Sequence, residues 1–185
     1  MTREEALNLI DELMKNENLL KHLLAVETAM GALAKKLGED EKTWKLTGLL
    51  HDADFEITKD TPDKHTLVLE EKLKDHDLPQ EVIKAIKAHN RKYTLQDSES
   101  RLDWALQCAD DVTGLIITTA LVMPDKKLAS VRVESVLKKF KDKAFAKGVD
   151  RERIKLCEEK LQVPLEEFVK LSLKALQEIS SDLNL

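Results

Sequence analysis

Apolar residues recur along this chain at intervals of three and four, the spacing that lines up one face of an α-helix. The clearest run starts at Glu17: Leu19, Leu23, Val26, Met30, Leu33 and Leu37 alternate steps of four and three, and Gly38 follows as a stop. Before it, Thr2 with Glu4 and Glu5 makes a capped start for a short helix whose apolar side is Ala6, Leu7, Leu9, Ile10, Leu13 and Met14. A third helix is predicted from about Asp40 to Asp52, with Trp44 and Leu46 through Leu50 as its buried face, and residues 53–61 read as loop. Pro62 suits the first turn of a fourth helix carrying Leu67, Val68, Leu69 and Leu73, and Leu78-Pro79 separates it from a fifth with Val82, Ile83 and Ile86. After a polar loop from Asn90 to Ser98, a long helix from about Glu99 to Val122 places Leu102, Leu106, Thr113, Ile117 and Ala120 on one stripe. The run Ile116-Ile117-Thr118-Thr119 is β-rich, yet the helical spacing continues through it and a lone strand would have no partner. Residues 128–140, 150–160 and 164–182 complete the pattern as three more helices.

Composition agrees with that pattern. The chain has 185 residues, 42% of them hydrophobic and only 4% aromatic, with five Gly and four Pro, which suits packed helices and one core. The expected fold class is all-α, a single-domain helical bundle over 1–185, with the chemistry in a core of about 18–122 and a helical extension over 126–185. A formal net charge of −5 argues against a general binder of nucleic acid or membrane surfaces, both anionic. No apolar run approaches the ~18 residues of a membrane span, and Met1 to Glu5 lack the apolar core of a signal peptide. Cys108 and Cys157 stand in no metal-finger or redox spacing, so a reducing cytoplasmic setting is expected.

The histidines change the picture. There are five, and His22, His51, His65 and His89 occupy positions where a helix ordinarily carries an apolar residue. His22 begins a strip of small residues, Ala25, Ala29 and Ala32, along which another element can approach closely. Asp110 lies on the apolar stripe of the long helix, four residues after Leu106 and three before Thr113. A lone carboxylate there costs several kcal/mol in lost hydration unless it is paired or metal-bound. Taken alone, each histidine is more often a hydrogen-bonded core or boundary residue than a ligand, and Asp110 reads also as a buried ion-pair partner, but a divalent cation accounts for all of them together, because imidazoles and carboxylates are its ordinary ligands. His76, between Asp75 and Asp77 at a helix end, is explained by nearby charge and is left out.

The ordered set His22, His51-Asp52 within Leu49-Leu50-His51-Asp52-Ala53-Asp54, and Asp110 after Ala109 resembles the H…HD…D pattern of the HD superfamily of metal-dependent phosphohydrolases. His65 and His89 resemble the extra histidines of its two-metal members. The segments 49–56, Ala88-His89-Asn90, Thr113 to Ile116 and Pro124 to Leu128 are similar to uncharacterised predicted hydrolases of that superfamily. The resemblance implies that His22, His51, Asp52 and Asp110 hold one metal, that His65 and His89 join Asp52 on a second, and that Asp52 bridges them. Thr66 departs from the pattern, since a glycine more often follows that histidine. The implied activity is hydrolysis of a phosphomonoester or phosphoanhydride, in a nucleotide or small metabolite, by metal-activated water. A thiolate-free donor set suits one or two ions of Mn, Fe, Co or Ni, with Zn as a further candidate.

Around that core, Asp54 and Glu56 are candidates for orienting water or a proton, with a loop role as the alternative. Lys127, Lys141 and Lys143 are candidate phosphate contacts in a basic stretch from Lys126 to Lys147, which reads equally as a solvated surface. The expected partner is a small phosphorylated molecule, with no membrane and no stable nucleic-acid complex. A non-catalytic nucleotide-sensing module on the same scaffold, and a helical interaction protein with purely structural histidines, are the competing readings. Oligomeric state is left open.

Overall fold

The computed structural model describes residues 1–185, and every regular element in it is helical. Helix α1 (Arg3–Leu13) starts in a capping box: the Thr2 side chain accepts from the Glu5 amide while the Glu5 carboxylate accepts from the Thr2 amide. Helix α2 (Glu17–Leu37) is capped by the Asn16 side chain and ends at Gly38, whose left-handed φ of 72° suits a residue without a Cβ. Helix α3 (Glu41–Leu50) is capped by Asp40. The β-rich run 116–119 lies inside a helix, as its spacing requires.

Four expectations differ in detail. A helical turn, α4 (Phe55–Thr58), interrupts the predicted loop 53–61. The helix expected from Pro62 begins five residues later as α5 (Leu67–Leu73), because its first amides are capped from afar. In the polar stretch after α6 (Gln80–His89) sits another short turn, α7 (Arg91–Thr94), tied by the Thr94 hydroxyl to the Lys87 carbonyl. The long helix α8 (Arg101–Leu121) opens in a second capping box, Ser100 with Asp103. Beyond it, the single helix predicted over 128–140 is a 3-10 turn at Leu128–Ser130 followed by α9 (Val133–Lys141). Helices α10 (Arg151–Lys160), α11 (Leu165–Glu178) and the terminal turn α12 (Ser180–Leu183) close the bundle.

The core has two parts. A larger apolar cluster joins α2 and α8 to α9, α10 and α11 around Met30, Leu33, Leu106, Leu115 and Phe168. A smaller one joins α1, α3, α5 and α6 around Ile10, Leu49, Leu50, Leu69 and Ile86. Helices α2 and α3 are pressed together where Gly48 meets α2: a Cβ there would stand 2.9 Å from the Val26 carbonyl oxygen and 3.0 Å from the Glu27 Cα. Only glycine permits that approach, and it brings the C-terminal end of α3 against the first half of α2. A partly buried ion pair locks the same corner, with Arg3 Nε and Nη2 donating to the two oxygens of the buried Glu27 at 2.6 and 2.9 Å.

Candidate metal centre

The end of α3 carries His51 and Asp52 to the seam between the two apolar clusters, and the Gly48 contact sets His51 beside His22 of α2, ring centroids 5.2 Å apart. His89, at the last turn of α6, stands 5.1 Å from His51, and His65 follows 5.9 Å from His89. Asp110 enters from the middle of α8, its Oδ1 3.0 Å from His22 Nε2 and 3.8 Å from His51 Nε2. Asp52 faces the other end of the row, with Oδ1 3.1 Å from His65 Nε2 and 3.3 Å from His89 Nε2. All six residues singled out in the sequence for ligation therefore converge. Ligand atoms of three overlapping triads, His22–His51–Asp52, His51–His89–Asp110 and Asp52–His65–His89, each lie within 4.8 Å of one another.

Backbone and carboxylate acceptors orient the rings. His51 Nδ1 lies 2.8 Å from the Gly48 carbonyl, which can only accept, so that nitrogen donates and Nε2 faces the cluster. His65 Nδ1 donates in the same way to Asp54 Oδ1 at 2.8 Å. Three buried atoms facing the centre, His51 Nε2, Asp52 Oδ1 and His89 Nδ1, have no hydrogen-bond partner. His65 Nε2 and His89 Nε2 stand near Asp52 Oδ1 as close charge contacts and make no hydrogen bond to it. Orphaned donor atoms of this kind, buried and mutually convergent, fit a divalent cation; left to themselves they cost free energy without return.

The electrostatics point the same way. Burial alone would push Asp52 and Asp110 up, but the imidazoles around them hold both carboxyls well below the usual range. Burial opposes the charged form of His65, yet the Asp52 and Asp54 carboxylates beside it raise it to about 9. For His89 burial is likewise outweighed by Asp52 and Asp110, and it too is raised. A proton and a metal ion would thus compete for the same nitrogens.

Asp54 sits behind this cluster, where the sequence had it as a group orienting water. It is fully buried, with Oδ1 accepting from His65 Nδ1 and the Thr66 amide at 3.2 Å and Oδ2 from the Leu69 amide at 3.0 Å. Both oxygens are thus committed to fixing His65 and capping α5. Glu56 binds the Lys15 and Asn16 amides at 2.8 Å each and secures the α1–α2 connection, its structural reading. Thr66 adopts φ 70°, the left-handed region that glycine favours, which gives a physical reason for the glycine more often found there and leaves the threonine strained. Asn90 ties the His65 and Pro62 carbonyls to the end of α6 through its Nδ2, at 2.9 Å each. Gly48, a lone glycine in an apolar helical run, was the overlooked signal for close approach.

Lys127, Lys141 and Lys143 are exposed and make no ion pair or hydrogen bond with the cluster. Lys143 belongs to a loop whose carbonyls at Asp142, Ala146 and Val149 are gathered by the Arg151 guanidinium. His76 lies outside the three triads. Cys108 and Cys157 are buried free thiols; burial pushes the first well above its ordinary value and the second up to about 12, as expected for packing residues. No helix is long and apolar enough to cross a membrane.

An HD domain model matches residues 19–117, a span that holds all six converging residues, and the chain belongs to that family of metal-dependent phosphohydrolases. Among curated proteins it is similar to ribonuclease Y of Desulfotalea psychrophila, 34% identical over 98 residues that make up 53% of this chain and 18% of the relative. A longer match, 30% identical over 142 residues, links 75% of this chain to 24% of ribonuclease Y from Aquifex aeolicus. The chain spans about a fifth of the length of these curated relatives. No solved structure matches it.

Proposed function

We propose that the chain hydrolyses a phosphomonoester or phosphoanhydride of a nucleotide or small metabolite, with His22, His51, Asp52 and Asp110 holding one transition-metal ion and Asp52, His65 and His89 a second. The single observation that carries this reading is the set of three buried, unpartnered donor atoms at the meeting point of six ligand-type residues. Bound ions would neutralise phosphoryl oxygens and lower the pKa of a water toward neutrality. The chain's own part is orientation: Gly48 fixes the His51 ring through its carbonyl, Asp54 fixes His65, and Asp52 stands between His51 and His65, 3.6 and 3.1 Å from them. Lys127, Lys141 and Lys143 would draw an anionic substrate by charge from the surface rather than touch the reacting group.

The names of the relatives favour a second reading, in which the bond cleaved is a phosphodiester of RNA. That reading sets aside the expectation that no stable nucleic-acid complex forms. Assays with Mn(II), Co(II) or Ni(II) on p-nitrophenyl phosphate, bis-p-nitrophenyl phosphate, a nucleotide panel and short oligoribonucleotides separate the two. Losing groups that merely orient ligands commonly costs 10–100-fold, so Asp52→Ala and Asp110→Ala should lower turnover by roughly a hundredfold or more and reduce bound metal by elemental analysis. Equally slow hydrolysis of everything by wild type and both variants would remove the catalytic claim; tight nucleotide binding with metal retained and no turnover would leave a sensing module.

A further inference from the structure

A groove of about 650 Å³ adjoins the cluster, with His89 in its wall. That volume is in the range of small-molecule sites, and the groove's chemistry differs from the rest of this acidic protein. Tyr93, 38% exposed on the short turn α7, and Trp104, half-buried in the first turn of α8, supply aromatic surface in a chain that has only one Tyr and two Trp. Arg91, Lys92 and Arg153 outnumber Asp97, the single acid among the lining residues. Cations already stand against both aromatic rings, Lys92 Nζ 5.0 Å from the Tyr93 centroid and Lys160 Nζ 5.1 Å from that of Trp104. Gln107 donates through Nε2 to the Ala88 carbonyl at 2.9 Å, which orients its amide and leaves Oε1 with no protein donor. Aromatic faces bind bases of any sequence, guanidinium and ammonium groups bind phosphate oxygens, and an oriented amide oxygen accepts from a base or ribose.

We propose that this groove holds the nucleoside of a nucleotide whose phosphate lies at the metal centre, the base against Tyr93 and Trp104 and the remaining phosphates or ribose toward Arg91, Lys92, Arg153 and Gln107. The inference rests on the phosphohydrolase reading and narrows its substrate to nucleotides, whether free or as the end of an RNA chain. Arg91 now pairs with Asp97, so a phosphate entering the groove replaces that carboxylate on an existing cation.

The two tryptophans make the test direct, because Trp44 is only 4% exposed and lies in the larger apolar cluster away from the groove. In the full chain with chelator present, the two indole N–H resonances are followed by NMR during titration with AMP, a short single-stranded oligoribonucleotide and ribose 5-phosphate, and Trp104→Phe assigns the peaks. The Trp104 resonance should shift saturably with AMP or the oligonucleotide and not with ribose 5-phosphate, while the Trp44 resonance stays in place. Stacking on an aromatic side chain is worth ~1–3 kcal/mol per base, so Tyr93→Ala should weaken the apparent Kd at least about fivefold. Tighter binding of AMP identifies a free nucleotide, tighter binding of the oligonucleotide an RNA end, and either supports the groove. A Trp104 signal that ignores both, responds equally to ribose 5-phosphate, or titrates identically in Tyr93→Ala overturns it. Metal-dependent hydrolysis of p-nitrophenyl phosphate by wild type tests the underlying reading separately, since that substrate carries no nucleoside.

Discussion

Asp110 and Asp111 are neighbours on α8, yet their surroundings treat them in opposite ways. Asp110 turns toward three imidazoles, those of His22, His51 and His89, which hold its carboxyl far below the ordinary range against the opposing pull of burial. Asp111 turns toward α10, where burial and the adjacent Asp110 charge push it up to about 6 although the Asp150 amide donates to it at 2.7 Å and Arg153 stands 3.7 Å away. Burial is unfavourable for both anions; what separates them is the number of cationic or proton-bearing groups within reach. One side of α8 is therefore built to keep negative charge and gather positive charge, and the other tolerates a carboxylate only at a cost.

The strongest way to break the imidazole side without touching a candidate ligand is Asp54→Asn. It removes the anion behind His65 and leaves an amide that cannot accept from the His65 ring, the Thr66 amide and the Leu69 amide as the two carboxylate oxygens do. Because Asp54 acts through His65, the expected loss is about 10–100-fold in metal affinity at one of two sites, read by titration of chelator-stripped protein with Mn(II), with the other site retained. An equal loss at both sites would show that Asp54 holds up the fold as a whole and does not position one ring.

The α10 side is probed by pH. A carboxyl raised from 3.8 to about 6 binds its proton more readily when folded than unfolded, so it subtracts nothing from stability at pH values below both, and subtracts progressively more as pH rises through that interval. In chelator, Asp111→Asn should therefore leave stability at about pH 3 almost unchanged and raise it at pH 7 by on the order of 2 kcal/mol, since each tenfold change in proton affinity corresponds to about 1.4 kcal/mol and the half-exposed Arg153 screens part of the cost. The asparagine oxygen still accepts from the Asp150 amide, which keeps the comparison clean. A denaturant midpoint that moves equally at both pH values would mean that the anion costs nothing at this position.

How much of this was legible beforehand follows the reach of each interaction. The long helices and their caps are local, set by residues three and four apart, and the sequence carried them, including the β-rich end of α8. The histidines and Asp110 were conspicuous because polar groups on apolar stripes must be reconciled with burial. Asp54 was not legible in that way: a carboxylate two places after His51-Asp52 looks the same whether it faces solvent or caps a helix thirteen residues on, and only the folded path makes it the cap of α5. The same long-range cap explains why α5 starts at Leu67 and not near Pro62. The groove was hidden for a related reason, since Tyr93 and Trp104 belong to different elements and Arg153 comes from a third.

The smallest predicted effect lies at Thr66, beside the imidazole row. A β-branched residue in the left-handed region costs roughly 1–2 kcal/mol, and the buried Thr66 hydroxyl adds to that because it has no partner. Glycine relieves both but enlarges the conformational freedom of the unfolded chain, offsetting about 1 kcal/mol. Thr66→Gly should thus raise stability by about 1 kcal/mol, which for a chain of this size is a Tm increase of about 2–4 °C in chelator. His65 keeps its Asp54 partner throughout, so metal content should be unchanged. A lower Tm would mean that the threonine's packing outweighs its backbone strain, and that the imidazole side is held by ordinary contacts where the structure shows tension.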